Sequence, residues 1–378
     1  MRSLAALILV YVVAPCMLAI AQAPAPPAPP PSAQTGPVFR AGTTLVLVPA
    51  LVRTKAGEPV FTLTADNFLL TDDDVPQKLS LEQDTDSEPL ALVVAVEIGG
   101  AGARHLDDYR NLGSTIEALV GDVQHRVALV GFDSEPRLLE NFTPDLSATA
   151  AGLHDLEPGD NGAAILDGLK FSVEQLQKQP PEYRRAILLF SETVDHGSHI
   201  PLEDAVRAVS DTNTVIYSFA FSSPKTAARH EASRTLGDSE PGPPGGCFAN
   251  DPNADPSEKK GKAEKTYDCL GLLAPPLRLA KIAALVAMNS MRRNASETVA
   301  HLTGGEYYSF KDRKSLQKDM LTVSNHVPNR YVLSFRPDAP HPGLHTLKLQ
   351  LKDYPNLQIT ARRNYWAQDP TAGDAKPQ

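Results

Sequence analysis

The segment Ala91-Leu-Val-Val-Ala-Val-Glu97-Ile-Gly99-Gly-Ala101-Gly102 decides the fold. Six apolar residues lead to one carboxylate, and a glycine turn then enters a segment of helical character that begins near His105. A continuous apolar run of this length is typical of a strand that is buried on both faces of a parallel sheet. In α/β folds, ligands and metals bind where such a strand ends. Turn 97–102 is therefore a candidate site, or what remains of one.

Downstream of this strand, apolar strands alternate with amphipathic helical patterns. Strands are predicted at 126–132, 185–190, 214–220 and 307–310, and a hairpin-like segment at 136–142. Helices are predicted at 106–120, 164–177, 202–209, 277–302 and 314–323. This alternation predicts an α/β fold with a mostly parallel sheet whose two faces are both covered by helices.

Two flanking segments, 37–88 and 329–367, have β character instead. In the first of them, strand-like runs at 43–48, 67–71 and 78–81 are separated by turns at 55–59 and 72–76. The second turn contains Asp72, Asp73 and Asp74. The glycine and the distal glutamate of an EF-hand calcium loop are missing, so a solvated hairpin tip is predicted there.

Residues 1–21 predict a secretory signal peptide. Arg2 supplies the positive start, an apolar run follows, and Ala19-Ile-Ala21 is a small-x-small cleavage site. The alternative is an uncleaved N-terminal anchor, although the run is short for a stable membrane span. We therefore expect an exported protein, periplasmic or secreted, with no membrane span after cleavage. Residues 22–36 contain six prolines and predict a semi-rigid linker.

Charge and cysteine content limit the function further. Without residues 1–21 the chain has 35 basic and 45 acidic residues, a net charge of −10. Such an acidic chain is unsuited to binding nucleic acid, because phosphate backbones are bound by Lys and Arg.

Segment 223–274 is predicted to be a long irregular insertion, either disordered or functional. It contains Cys247 and Cys269, which are predicted to form a disulfide, with two free thiols as the alternative. The tail 368–378 is predicted to be disordered.

Several sequence pieces carry a family resemblance. They are Val60-x-x-Leu63-Thr-x-Asp66-x-Phe68 with Gln77, the strand and turn at 91–102, Gly162-Ala-Ala-Ile-Leu-Asp167, Leu188-Leu-Phe-Ser-Glu192-x-x-Asp195-His-Gly-Ser198, Leu302-Thr-Gly-Gly305 and Arg362-x-x-Tyr365-Trp366. Over nearly all of residues 38–367 the chain resembles the von Willebrand factor A-related family of exported bacterial proteins found especially in Acidobacteria. The resemblance implies a doubly wound, Rossmann-like A-domain at 89–328, with 37–88 and 329–367 forming a smaller β-sandwich-like unit outside it.

The resemblance also implies a metal-ion-dependent adhesion site at the top of the sheet. The family pattern is Asp-x-Ser-x-Ser, then a Thr and a later Asp, whose oxygens suit Mg²⁺. The two aspartates align with Glu97 and Glu192, the two serines with Gly99 and Ala101, and the threonine with Ala163. All three hydroxyls are therefore absent, and each longer carboxylate moves its oxygens by roughly 1.5 Å. A degenerate site is predicted that needs no cofactor and holds Mg²⁺ or Mn²⁺ only weakly, through waters.

Other chemistry in the same region was weighed against this prediction. Gly100 and Gly102 as the first pair of a dinucleotide loop would place His105 where the third glycine belongs. Asp195-His196-x-x-His199 has zinc-ligand residue types, but a loop with two histidines is more typical of solvated surface. Ser191 next to Glu192 lacks the glycines of a nucleophile elbow.

Two function classes follow from the sequence. The first is a non-enzymatic binding module that docks a protein or surface ligand, without metal, through its top-face loops and the 223–274 insertion. The alternative is a metal-dependent hydrolase that uses Glu97, Glu192 and the nearby histidines. Because no catalytic pair stands out, the binding module is the prediction.

Overall fold

A computed structural model describes residues 45–82, 88–211, 213–221, 275–337 and 340–368, without the side chains of 275–282. The signal peptide, the linker, insertion 223–274 with Cys247 and Cys269, and tail residues 369–378 lie outside the described residues. The predictions for these segments therefore stay predictions. Among the described helices, none is both long and apolar enough to cross a membrane.

The described strands and helices follow the predicted alternation closely. The strands are β1 (Val46–Thr54), β2 (Phe68–Asp72), β3 (Val75–Gln77), β4 (Ser80–Leu81), β5 (Leu90–Glu97), β6 (His125–Phe132), β7 (Pro136–Thr143), β8 (Arg184–Glu192), β9 (Thr214–Phe221), β10 (Tyr307–Ser309), β11 (Tyr331–Phe335), β12 (Gly343–Leu351), β13 (Leu357–Ala361) and β14 (Asn364–Ala367). The helices are α1 (Leu106–Tyr109), α2 (Gly113–Val120), α3 (Leu146–His154), α4 (Ile165–Gln177), α5 (Leu202–Ser210), α6 (Pro275–Arg293), α7 (Ala295–Thr303) and α8 (Arg313–His326).

A six-stranded sheet in the order β10-β9-β8-β5-β6-β7 contains the apolar strand β5. Neighbouring strands of this sheet run parallel to each other, except that β7 pairs antiparallel with β6. The hairpin-like segment is thus the edge strand of this sheet. Every residue of β5 is buried.

Helices cover both faces of this sheet, as a doubly wound fold requires. Leu92 and Val94 of β5 belong to one apolar cluster with residues of α1, α2 and α8. Val93 and Ala95 belong to another, with residues of α4, α5, α6 and α7. Because successive side chains of a strand point to opposite faces, the unbroken apolar run of β5 supplies both clusters. The predicted α/β class, with a doubly wound and mostly parallel sheet, is confirmed.

The flanking segments form two four-stranded antiparallel sheets, in the orders β13-β1-β11-β4 and β14-β12-β2-β3. Val48 and Leu333 of the first sheet share an apolar cluster with Phe68 and Leu347 of the second. The β-sandwich-like unit is therefore confirmed. The exact domain boundaries stay a prediction.

A buried ion cluster links this sandwich to the central sheet. Glu306, 6% exposed, lies directly before β10. Its carboxylate accepts hydrogen bonds from Arg53 of β1 at 3.3 Å and from Arg330 at 3.0 Å, and it pairs with His326 of α8 at 3.0 Å. Burial raises the pKa of Glu306, but the hydrogen bond with His326 and the charge of Arg330 outweigh it and lower the pKa to about 2. Glu306 is therefore ionised throughout the physiological range.

Helix boundaries differ from the predictions where side chains cap the backbone. The predicted helix at 277–302 is two helices, α6 and α7, because Asn294 between them accepts a hydrogen bond from the Glu297 amide at 3.0 Å and starts a new helix. Helix α3 was not predicted. Asp145 starts it by accepting from the Ser147 amide at 2.9 Å.

The solvated hairpin tip predicted at Asp72, Asp73 and Asp74 is wrong in part. The turn between β2 and β3 is tight, with left-handed φ of 46° at Asp73 and 67° at Asp74. Asp74 is exposed, but Asp72 is only 6% exposed. Asp72 and Asp73 are less exposed because they pair with histidines. Asp72 contacts His345 of β12, and Asp73 contacts His341, two residues before that strand.

Candidate site at the carboxyl edge of the central sheet

Glu97 ends β5 with its side chain turned into the protein. The residue is 0% exposed. One carboxyl oxygen accepts from the Gly102 amide at 3.0 Å and the other from the Glu192 amide at 2.7 Å. Position 102 needs glycine, because an added Cβ would lie 2.7 Å from Cγ of Glu97. The chain's own backbone therefore occupies both oxygens of the first predicted metal ligand.

The protonation state of Glu97 also disfavours a metal. Burial raises its pKa, and the nearby carboxylates of Glu192 and Asp195 add to the rise, whereas the two backbone amides lower it. The resulting pKa is about 8. Glu97 is thus mostly protonated at neutral pH. Carboxylate ligands bind metal in their deprotonated form, so metal binding would first have to expel this proton.

Glu192, the second predicted ligand, ends β8 and is 3% exposed. Its carboxylate lies 3.4 Å from Nε2 of His196. Its backbone amide donates to Glu97. The structure therefore brings the two predicted carboxylates to one place, as the sequence indicated.

The positions of the missing hydroxyls offer little room. A Cβ at Gly99 would lie 2.2 Å from the Gly162 carbonyl oxygen and 2.6 Å from Cβ of Asp133. Ala163 is buried, and its amide and carbonyl pair with the backbone of His196 at 3.1 and 2.9 Å. Only Ala101 is partly exposed. The loops close over the edge where the resemblance implied a metal.

Asp133 is a residue of this edge that the sequence analysis missed. It directly follows β6, parallel to β5, and that position was the available signal. Its side chain is 6% exposed and receives two hydrogen bonds from Arg137, at 3.1 and 2.7 Å. Burial raises the pKa of Asp133, but the bonds from Arg137 and from backbone amides outweigh it and lower it. The carboxylate is therefore already neutralised by an arginine.

The histidine loop after β8 does not form the zinc site considered above. Asp195 accepts from the Leu166 amide at 3.1 Å and so caps α4. His199 pairs with Asp167 at 3.1 Å and its side chain is 79% exposed. His196 instead faces Glu192. The two histidines bind different carboxylates.

Ser191 is not placed as a nucleophile. It is 0% exposed, and its hydroxyl lies 2.6 Å from that of Ser296 and donates to the Glu192 carbonyl at 2.9 Å. No substrate can reach it without opening the core.

The raised pKa of Glu97 predicts a pH-dependent stability. A carboxyl whose folded pKa lies above its ordinary 4.5 stabilises the fold fully below pH 4.5, and this contribution is lost as pH rises through about 8. Between pH 6 and pH 7 the free energy of unfolding should fall by about 1 kcal/mol more in the wild type than in Glu97→Gln. Urea denaturation at each pH measures this difference.

Contributions that are common to both proteins cancel from that comparison. Glu157→Gln, at an exposed position, is the matched control and should keep the wild-type slope. Parallel wild-type and Glu97→Gln curves would show that Glu97 is ionised in the fold.

The comparisons with known proteins bear on the fold of the chain and not on its site. No protein-family model and no curated protein matches the sequence. Similar solved structures include the vWF domain of the type V pili tip protein Mfa5 from Porphyromonas gingivalis, at 21% identity over 29% of this chain and 39% of that chain, with a TM-score of 0.26. Another is BatB, a conserved hypothetical protein from Bacteroides thetaiotaomicron, at 14% identity over 62% and 96%, with a TM-score of 0.35.

A third similar structure is proximal thread matrix protein 1 from the mussel byssus, described with a zinc-occupied MIDAS motif. It is 12% identical over 72% of this chain and 50% of that chain, with a TM-score of 0.37. The chain thus spans about two fifths of the Mfa5 structure and half of the mussel one. Membership of the Acidobacteria-type family stays a prediction.

Proposed function

We propose that the protein is an exported, non-enzymatic binding module that docks a protein or surface ligand through the loops at the carboxyl edge of its central sheet, without a metal ion. The single observation that carries the proposal is the buried Glu97 carboxyl, whose two oxygens accept backbone amides. A metal-dependent adhesion site needs an open ligand shell that the partner completes, and in the described part of this edge both oxygens of Glu97 are already bound by backbone amides.

One part of the exposed edge is acidic. Glu135 follows β6, and Glu157 and Asp160 lie in the loop that enters α4; all three are exposed. Asp160 is held by amides of its own and the neighbouring loop, at 2.7 Å from Gly162 and 3.1 Å from Ser134. Opposite charges steer partners and set their register, so these side chains favour a partner with a basic contact surface.

A pull-down from the envelope fraction tests the proposal. The wild type should capture the same partners with and without EDTA. The double variant Glu135→Lys with Glu157→Lys should lose them, because the exposed acidic charge is reversed. Glu182→Lys is the matched control, since Glu182 is exposed two residues before β8, at the opposite end of the sheet. This variant should capture the same partners as the wild type.

Two outcomes would contradict the proposal. Loss of all partners in EDTA while circular dichroism shows an intact fold would show metal-dependent docking. Equal loss in Glu182→Lys would show that the carboxyl edge is not the contact surface.

The alternative, a metal-dependent hydrolase, is favoured by one observation, the 3.4 Å contact between Glu192 and His196. Turnover of an ester or peptide panel that disappears in Glu192→Gln would establish that function in place of docking.

A further inference from the structure

A second cluster of ligating side chains lies in the β sandwich, away from the carboxyl edge. Asp73 is in the turn between β2 and β3, His345 is on β12, and His341 lies two residues before that strand. Nε2 of His341 and Nδ1 of His345 each lie 3.0 Å from the same oxygen, Oδ2 of Asp73. The three ligand atoms all lie within 4.8 Å of one another.

The outer nitrogens of both rings face backbone carbonyls. Nε2 of His345 donates to the His341 carbonyl at 2.8 Å, and Nδ1 of His341 donates to the Pro342 carbonyl at 3.3 Å. A carbonyl accepts only, so these nitrogens carry the hydrogens of the neutral rings. In that state the remaining nitrogen of each ring is an acceptor near an oxygen that also only accepts, so the cluster needs a cation or added protons between these atoms. The two rings stack with centroids 3.9 Å apart and planes 14° from parallel, so one ring must turn before both nitrogens can share an ion.

Metal-binding histidines usually make such a hydrogen bond with the ring nitrogen that does not bind the metal. A ligating histidine gives its other N–H to a carbonyl or carboxylate, which fixes the tautomer and the ring orientation. Asp73 is oriented in the same way, since its other oxygen accepts from the Thr346 amide at 3.0 Å. The three donors thus come from two segments far apart in sequence, and hydrogen bonds to the backbone hold Asp73 and His345 in place.

Burial and access also suit an ion. The side chains of His345, Asp73 and His341 are 3%, 12% and 14% exposed, so the donors are shielded from water but not sealed. Asp73 also lines an open cleft of about 750 Å³ beside α6, α7 and β12, which gives an ion a route to the site.

A second carboxylate stands next to the cluster. Oδ1 of Asp72 lies 3.0 Å from Nδ1 of His345, and Oδ2 accepts from the Tyr365 hydroxyl at 2.7 Å. Asp72 can therefore serve as a fourth ligand or as a partner that orients one.

We infer that Asp73, His341 and His345 bind one divalent transition-metal ion of the zinc class, with Asp72 or water in the fourth position. Two imidazoles and a carboxylate are ligands that such ions favour. A tetrahedral ion with bonds of about 2.0 Å holds its ligands about 3.3 Å apart, and the two distances from the ring nitrogens to the Asp73 oxygen, 3.0 Å each, are near this value. The ion clamps the β2–β3 turn to β12 and so fixes the sandwich.

Zinc titration of the metal-stripped full chain tests this inference, with Zn²⁺ itself as the probe. We expect one ion per chain and a higher melting temperature when it is bound. His341→Ala should weaken the affinity at least about tenfold. His341 is chosen because it lies outside any strand or helix, so its removal should leave the metal-free melting temperature near that of the wild type. His199→Ala, at an exposed histidine elsewhere, should bind zinc as the wild type does.

Cobalt substitution reports the ligands directly. Co²⁺ should give the visible bands of a four-coordinate nitrogen and oxygen site, and these should vanish in His341→Ala but not in His199→Ala. If the protein binds no zinc, the cluster is an ion pair between protonated histidines and the aspartates. An intense thiolate-to-cobalt band would place the ion on cysteine. Either result overturns the inference, and neither bears on docking at the carboxyl edge.

Discussion

Glu306→Ala should lower the free energy of unfolding by about 3–5 kcal/mol. The substitution removes the only carboxylate that the described contacts give to Arg53, Arg330 and His326 in this cluster, and two of these partners are themselves almost fully buried. Breaking a buried pair from one side costs far more than an exposed pair contributes, because the remaining charge stays in a medium of low dielectric. Urea denaturation at pH 7 measures the loss.

The matched control is Glu174→Ala, which breaks the exposed pair with Lys170 on α4 and should cost less than about 1 kcal/mol. Glu306→Gln keeps the shape of the side chain and removes the charge. If the charge is what matters, Glu306→Gln should cost nearly as much as Glu306→Ala. A loss below 1 kcal/mol in both variants would mean that solvent already reaches the cluster.

Gly99→Ser should destabilise the protein by about 3 kcal/mol and should not create a magnesium site. The resemblance implies a serine at this position, but here its Cβ would lie 2.2 Å from the Gly162 carbonyl oxygen. A backbone atom cannot move aside as a flexible side chain can, so the two loops must separate. Denaturation gives the stability, and calorimetric titration with Mg²⁺ and Mn²⁺ gives the binding.

Ala101→Ser is the matched control, because it restores the other implied serine where a Cβ and some exposure already exist. It should change the stability by less than about 0.5 kcal/mol. Neither variant nor the wild type should bind Mg²⁺ tightly. One-to-one tight binding by the wild type, abolished by Glu97→Ala, would contradict both the closed edge and metal-independent docking.

The central sheet was predictable because its signals are local. The apolar run of β5, the strands that follow it and the amphipathic pattern of α4 each lie within one short window. Helix α3 was missed because its Ala-rich sequence has little amphipathic contrast. Strand β13 was missed because it is a short pairing with β1 that only the folded chain reveals.

At the carboxyl edge, the sequence correctly placed Glu97 and Glu192 together at the ends of adjacent parallel strands. It could not tell that Glu97 turns inward, since that depends on amides of residues 102 and 192. The cluster in the sandwich was missed for a similar reason. His341-x-x-x-His345 was a readable spacing, but its carboxylate, Asp73, lies far upstream and was interpreted as a solvated turn.

The sandwich interleaves the two ends of the described chain. Strand β1 pairs with β11 from Val46 opposite Phe335, and β2 pairs with β12 from Phe68 opposite Leu351. During synthesis β1 and β2 emerge long before their partners, so their edges stay unpaired until residues 331–351 have been made. We expect slow, late sandwich assembly, with the central sheet forming first. We therefore expect assembly of the sandwich, rather than of the central sheet, to limit the yield of folded protein.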